Sequence, residues 1–265
     1  MLSENDLSYL IQTARQAGEV VMDVYALNFP EDIEVKSDNS PLTVADKRSN
    51  KVILEALRSR FPQLPVISEE TKQVPYEVRR KWKSYWLVDP LDGTKEFIKK
   101  NGEFTINIAL MQDSVPIAGV IYAPALDKLW YALKGAGAYV QEGNQEARQL
   151  KRGHDWRLIN PVRVVASRSH MDDRTMQFVE KLWDRGVEVR FVSSGSSIKF
   201  CMVAEGLADV YPRYGPTMEW DTAAGQAILE LTGGRVYNAD THQRLFYNKE
   251  NLLNPPFIAE FIDLP

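Results

Sequence analysis

What this sequence lacks narrows its class before any motif is read. Among 265 residues there is one cysteine, Cys201, so no disulfide forms within the chain. Its neighbours Ile198, Phe200, Met202 and Val203 are those of a core residue, which favours inert packing over nucleophilic chemistry and fits a reducing compartment. No apolar run reaches the roughly twenty residues that a membrane span needs. Met1 to Leu7 lack the basic-then-apolar pattern of a secretory leader. A cytoplasmic address is the expectation, with peripheral membrane contact left open. Basic excess is missing too: 32 Lys and Arg stand against 36 Asp and Glu, for a net charge of −4. With no aromatic–basic motif, nucleic acid is the least favoured partner. Internal repeats and low-complexity tracts are also absent.

What is present is an ordinary globular balance, 44% apolar and 26% charged, on a chain long enough for one large core or two modest ones. Leu7, Leu10, Ile11, Ala14, Gly18, Val21 and Tyr25 recur at helical steps. A polar stretch, 36–41, precedes a second helix that starts near Thr43 and stops at Phe61-Pro62. Two short apolar runs then end in acid: Val66 to Ser68 leads into Glu69-Glu70, and Tyr85 to Val88 into Asp89-Pro90. Strands are expected over 104–111, 117–122, 129–133 and 138–141. Residues 142–161 are polar and aperiodic. Beyond them strands and helices alternate: strand 162–166, helix 173–184, strand 187–192, helix 198–205, strand 208–211 and helix 222–231. The expected organisation is an N-terminal α+β domain, 1–155, with an antiparallel sheet, and a C-terminal α/β domain, 156–265.

The chemistry concentrates in Asp89-Pro-Leu-Asp92-Gly93-Thr94. A buried strand delivers Asp89, and a proline-containing turn is expected to bring Asp92 back beside it. The Gly93-Thr94 peptide groups then open a short helix with free N–H groups. Two carboxylates beside such donors suit a phosphate bridged by metal ions. Taken alone, each signal has a plainer reading: Asp-Pro and Asp-Gly make turns, Glu69 ends a strand, Asp221 caps a helix, and Thr43-x-x-Asp46 is a capping box.

Together they resemble the inositol monophosphatase-like family of metal-dependent, lithium-sensitive phosphatases. The signatures are the acidic pair Glu69-Glu70 (preceded by Ser68 where the family usually has Gly), Asp89 to Thr94, and Trp220-Asp-Thr-Ala-Ala-Gly225. The resemblance runs from the first helix to about Asn254. It implies an α+β fold, a layered α-β-α-β-α sandwich of the inositol monophosphatase and fructose-1,6-bisphosphatase type. It also implies Mg²⁺: Glu69, Asp89 and the Leu91 carbonyl hold one ion, Asp89, Asp92 and Asp221 a second, and a third weaker site lies near Glu69 and Glu70. Asp46 acting through Thr94 is the implied base for the attacking water, and the Gly93 and Thr94 N–H groups hold the phosphate.

Lys95-Glu-Phe97, Asn101 to Ala109, Ser167 to His170, Gly195 to Phe200 and Tyr211 to Pro216 are similar to the family's bacterial bisphosphate-nucleotidase branch. The implied substrate is a small nucleotide bisphosphate, adenosine 3′,5′-bisphosphate, cleaved to AMP and phosphate in sulfate assimilation. The implied contacts are His170, Ser196, Lys199 and Arg213, with Tyr214 a candidate for stacking on adenine. On the residues alone, Lys199 reads as a surface helix lysine and His170 as a loop histidine. Inositol phosphates and fructose 1,6-bisphosphate are rival substrates within the family. A haloacid-dehalogenase arrangement is disfavoured because Asp89 and Asp92 are three apart rather than two. A nucleotide sensor without turnover is disfavoured because every metal carboxylate is present.

Overall fold

In the computed structural model, the structure describes residues 2–27, 33–35, 41–151, 160–166 and 172–261. The first helix, α1 (Glu4–Tyr25), is opened by Ser3, whose hydroxyl accepts the Asp6 N–H while the Asp6 carboxylate accepts the Ser3 N–H. This reciprocal pair satisfies two of the donors that a helix start leaves open. Leu7, Leu10, Ala14, Ala17, Val21 and Val24 form its buried stripe. A two-stranded ribbon, β1 (Ile33–Val35) with β2 (Pro41–Thr43), leads into α2 (Val44–Arg60). Both helices lie on one face of a seven-stranded sheet.

That sheet runs in chain order: β3 (Val66–Ser68), β4 (Ser84–Asp92), β5 (Thr105–Gln112), β6 (Val115–Ala123), β7 (Lys128–Leu133), β8 (Gly137–Glu142) and β9 (Arg148–Gln149). The first pair is parallel and the rest are antiparallel. Alternation sorts the side chains: Trp86, Val88, Ile106, Ile108 and Val120 join α1 and α2, whereas Tyr85, Leu87, Ala109, Met111 and Ile121 face the other way. Burial on both faces makes these strands read as continuous apolar runs. Two short helices, α3 (Tyr76–Arg79) and α4 (Thr94–Ile98), flank β4.

After residue 160 come β10 (Val162–Ala166), α5 (Asp173–Trp183), β11 (Val189–Ser193), α6 (Ile198–Glu205), β12 (Val210–Arg213), α7 (Glu219–Leu231), β13 (Arg235–Asn238) and β14 (Phe257–Glu260). The strands form a second sheet in the order β11-β10-β12-β14-β13, parallel around β10 and antiparallel around β14. Helices α6 and α7 fill the space between the sheets, and α5 covers the outer face of the second through Val179 and Leu182. The layers are therefore α-β-α-β-α, as the resemblance implies. The middle layer is tight. A Cβ on Gly119 would come within 2.6 Å of the Ala224 carbonyl, and one on Gly225 within 2.5 Å of the Phe200 ring. Cys201 lies wholly buried in this layer, and burial pushes its thiol well up from the usual range.

Several sequence expectations shift. Helix α7 begins at Glu219, three residues before the expected start, so Asp221 is in its first turn rather than at its cap. Strands β9, β13 and β14 were not anticipated. The last two are separated by an irregular stretch of 18 residues, 239–256, and neither carries an alternating pattern long enough to stand out. The expected boundary at 155/156 lies outside the described residues. Among the described residues no helix is long and apolar enough to cross a membrane.

Candidate active site

The carboxylates converge at the ends of β3 and β4. These strands are parallel with Ser68 opposite Val88, and the Glu69 N–H donates to the Val88 carbonyl at 3.2 Å. Glu69 therefore leaves β3 beside the residue that follows Val88, which is Asp89. Beyond Asp89 the expected turn is instead a bulge. Asp89 stands opposite Asn107 and Asp92 opposite Thr105, so three steps on β4 match two on β5. A regular strand would place residues three apart on opposite faces; one extra residue returns both aspartates to the same face. Leu91 confirms the phase change, since it packs with Val88 toward α1 and α2. Pro90 tolerates the bulge because it has no N–H to pair. The Asp89 carboxylate accepts the Leu91 N–H at 3.1 Å.

Asp221 arrives from the first turn of α7, where its carboxylate accepts the Met218 N–H at 2.8 Å. One carboxylate oxygen from each of Glu69, Asp89 and Asp221 lies within 4.8 Å of the others. Burial, then the charges of Glu69, Asp92, Asp221 and Asp46, hold the Asp89 carboxyl well above the usual carboxylate range. Burial and Asp92 do the same to Asp221. Asp92 is pushed up to about 6 by burial, opposed by the Lys199 ammonium and by the Ser197 N–H, which donates to it at 2.6 Å. A set of mutually repelling carboxylates, Asp89 buried and Glu69, Asp92 and Asp221 half-buried, all hard oxygen donors, is what a divalent cation such as Mg²⁺ neutralises. The residues present fit such an ion.

Helix starts surround this cluster. Gly93, at φ +91°, precedes α4, and a Cβ there would sit 3.1 Å from the Glu103 carbonyl. Thr94 opens α4, and its hydroxyl donates to the Leu91 carbonyl at 3.4 Å. Asp46 is buried in the first turn of α2; the side chain of Thr43, its expected capping partner, lies outside the described residues. Helix α2 also clamps both acid-bearing strands. The Ser49 hydroxyl donates to the Pro90 carbonyl at 2.7 Å, and the Ser68 hydroxyl to Asn50 Oδ1 at 2.8 Å.

Next to the carboxylates opens a cleft lined by Asp92, Gly93, Ser196, Lys199, Arg213 and Asp221. Lys199 is no surface lysine. It is 5% exposed, its Nζ donates to the Ser196 carbonyl at 2.6 Å, and burial pulls its pKa down to about 8. The signal was present in α6, where Ile198, Phe200, Cys201, Val203 and Ala204 are apolar on every side, and such a helix is buried all round. Arg213 donates to the Pro216 carbonyl at 3.2 Å. Tyr214 lies under the Arg174 guanidinium, 4.5 Å from the ring centroid, which occupies one of its faces. His170 lies outside the described residues. Sequence reasoning did not single out Ser49, Asn50, Thr105, Asn107 or Glu103. Glu103, Thr105 and Asn107 lie within the Asn101–Ala109 stretch and Ser49 and Asn50 outside the motifs, and the part each plays is recognisable only once register and packing are known; Glu103 accepts the Gly195 N–H at 2.8 Å.

Comparison with known proteins agrees with this arrangement. A sequence model of the inositol monophosphatase family matches residues 3–261. The chain is 45% identical over 251 residues to the 3′(2′),5′-bisphosphate nucleotidase CysQ of Salmonella typhimurium, covering 95% of this chain and 98% of that protein. The crystal structure of CysQ from Bacteroides thetaiotaomicron, a bacterial member of the same family, superposes with a TM-score of 0.85 at 44% identity over 97% of both chains. The inositol monophosphatase from Anabaena gives 0.74 at 27% identity, over 97% of this chain and 91% of that one. With a match spanning nearly the whole chain and the acidic cluster in place, this protein belongs to the inositol monophosphatase family, whose members are metal-dependent.

Proposed function

We propose that the protein is a Mg²⁺-dependent phosphatase that hydrolyses the 3′-phosphate of adenosine 3′,5′-bisphosphate to AMP and phosphate, in a cytoplasmic setting. The observation that carries this is the juxtaposition of the Glu69, Asp89 and Asp221 carboxylates with a cleft holding Lys199 and Arg213. An acidic cluster alone fits any phosphomonoester. The buried cation beside it suits a substrate with a second phosphate, since ammonium and guanidinium groups form strong charge-assisted bonds to phosphate. Relatives near 45% identity are named as bisphosphate nucleotidases, whereas a relative named as an inositol monophosphatase is at 27%, which favours the nucleotide over inositol phosphates. Peripheral membrane contact gains no support and forms no part of the proposal.

In this reading Glu69, Asp89 and the Leu91 carbonyl would hold one Mg²⁺, and Asp89, Asp92 and Asp221 a second, with Glu69 and Glu70 the candidates for a third. Bound Mg²⁺ neutralises phosphate oxygens and lowers the pKa of a water, supplying much of the large rate gain that monoester hydrolysis requires. The chain's own residues do the rest. The Gly93 and Thr94 N–H groups orient the phosphate. The Thr94 hydroxyl relays the proton of the attacking water to the buried Asp46 carboxylate; as water oxygen bonds to phosphorus the bond from phosphorus to the 3′-oxygen breaks, and that oxygen takes a proton from solvent water. Lys199, Arg213, Ser196 and His170 hold the nucleotide.

The test is phosphate release from adenosine 3′,5′-bisphosphate with and without Mg²⁺, beside inositol 1-phosphate and fructose 1,6-bisphosphate. Mg²⁺-dependent preference for the nucleotide is expected. Preference for a sugar phosphate would overturn the substrate assignment and keep the metal site; no release from any would make the chain a sensor.

A further inference from the structure

Ser197 stands where the cleft meets the carboxylates, and none of its polar groups faces water. It is 2% exposed, with Thr105 at 0% and Asn107 at 1%. Its N–H donates to Asp92 at 2.6 Å, and its hydroxyl lies 2.8 Å from both Asn107 Oδ1 and the Thr105 hydroxyl. Those two residues are the cross-strand neighbours of Asp89 and Asp92. One serine at the head of α6 thus reaches across from the second half of the chain to Asp92 itself and to the residues opposite both aspartates. Asn107 Nδ2, buried on the face that Asp89 shares, has no hydrogen-bond partner among the described residues, so the Ser197 hydroxyl is the side-chain contact that fixes its amide.

We infer that Ser197 is a positioning residue for the metal centre, its N–H orienting Asp92 while its hydroxyl, tied to Asn107 and Thr105, holds that N–H in place, and that it ties metal occupancy to the nucleotide cleft. The inference rests on the metal-dependent reading above. Metal-ligating carboxylates depend on outer hydrogen bonds for their orientation, and loss of such a bond typically weakens metal affinity by about 10–100-fold. Ser196 precedes Ser197 in the chain and Lys199 follows it in the first turn of α6, both lining the cleft, so a shift of Ser197 moves both sets of groups.

The experiment is a Mn²⁺ titration of the full chain without nucleotide, followed by paramagnetic resonance or calorimetry, on the unaltered protein, Ser197→Ala, Ser197→Thr and Thr105→Val. Ser197→Ala is expected to weaken Mn²⁺ binding by about 10–100-fold and to raise the Mg²⁺ concentration for half-maximal activity in parallel. Ser197→Thr, which keeps the hydroxyl, restores most of both. A hydroxyl that merely ties the two sheets together would lower the melting temperature and leave Mn²⁺ affinity unchanged, and that result overturns the inference. If Ser197→Ala fails to fold, Thr105→Val removes the bond from the other side with little change of shape, and unchanged Mn²⁺ affinity there is equally decisive. A chain that shows the Mn²⁺ shift yet releases no phosphate from adenosine 3′,5′-bisphosphate overturns the substrate reading and leaves this one standing; a chain that binds no Mn²⁺ overturns both.

Discussion

The acidic cluster and the cleft beside it are built on different plans. Glu69, Asp89 and Asp92 sit at strand ends and Asp221 in the first turn of a 13-residue helix, so packed secondary structure holds each of them. The cleft cations come from α6 and from the end of β12, in the second half of the chain, which also supplies Asp221. One region concentrates negative charge that repels itself, and the other supplies a buried ammonium that offsets part of it. In the proposed reading the first half supplies three of the four metal carboxylates, and the second supplies Asp221 together with the groups that select the substrate.

The sharpest way to break this division is Asp89→Asn. It removes the carboxylate central to the cluster while keeping its shape, and kcat should fall by at least about 10³-fold, beyond the 10–100-fold typical of outer contacts. Phosphate release measured beside an unchanged circular dichroism spectrum checks it, and near-normal turnover would undo the metal assignment. Lys199→Met probes the other half. Loss of a charge-assisted bond of about 1.5–3 kcal/mol should raise KM for adenosine 3′,5′-bisphosphate roughly ten- to hundredfold. A substrate without the 5′-phosphate should be affected much less. Because burial brings Lys199 down to about 8, its cation is present below that pH and lost above it. KM should therefore climb above pH 8 in the unaltered chain and stay level in the variant.

Metal removal tests the self-repulsion. Carboxyls with raised folded pKa values contribute stability that is present below their unfolded value of 3.8 and lost as pH rises through the folded value, about 6 for Asp92. The melting-temperature gain on adding Mg²⁺ should then grow from pH 5 to pH 8; a gain independent of pH would contradict it. The smallest effect is expected of Ser49→Ala. It strands the buried Pro90 carbonyl, at about 1–3 kcal/mol. Thermal melting should fall by roughly 2–4 °C per kcal/mol for a chain of this size.

The same contrast explains what could be read from the sequence. Residues delivered by strand ends and helix starts were legible, because an apolar run ending in acid marks its own terminus. Glu69 and Asp89 were placed in this way, but each acid alone reads as a strand end, a turn or a helix cap, and the assignment of Glu69, Asp89, Asp92 and Asp221 to one metal site came from the resemblance. The bulge was not, since Asp89-Pro90 is equally good turn chemistry and only the pairing with Asn107 and Thr105 distinguishes the two. Lys199 was misplaced on its residues alone because one charge was weighed without the all-apolar helix around it. Ser197, Asn107 and Thr105 lie within stretches that carry the resemblance, but nothing local gives them a role; they matter through partners about 90 residues away in sequence.

The lone thiol in the middle layer gives the molecule a built-in clock. Cys201 lies on α6, sealed within the layer between the two sheets, and reagents can reach it only when that layer opens. Its rate of modification thus times the parting of the two halves, without any label having to be introduced. A ligand that bridges the halves should slow that clock, and one that binds a single half should leave it running.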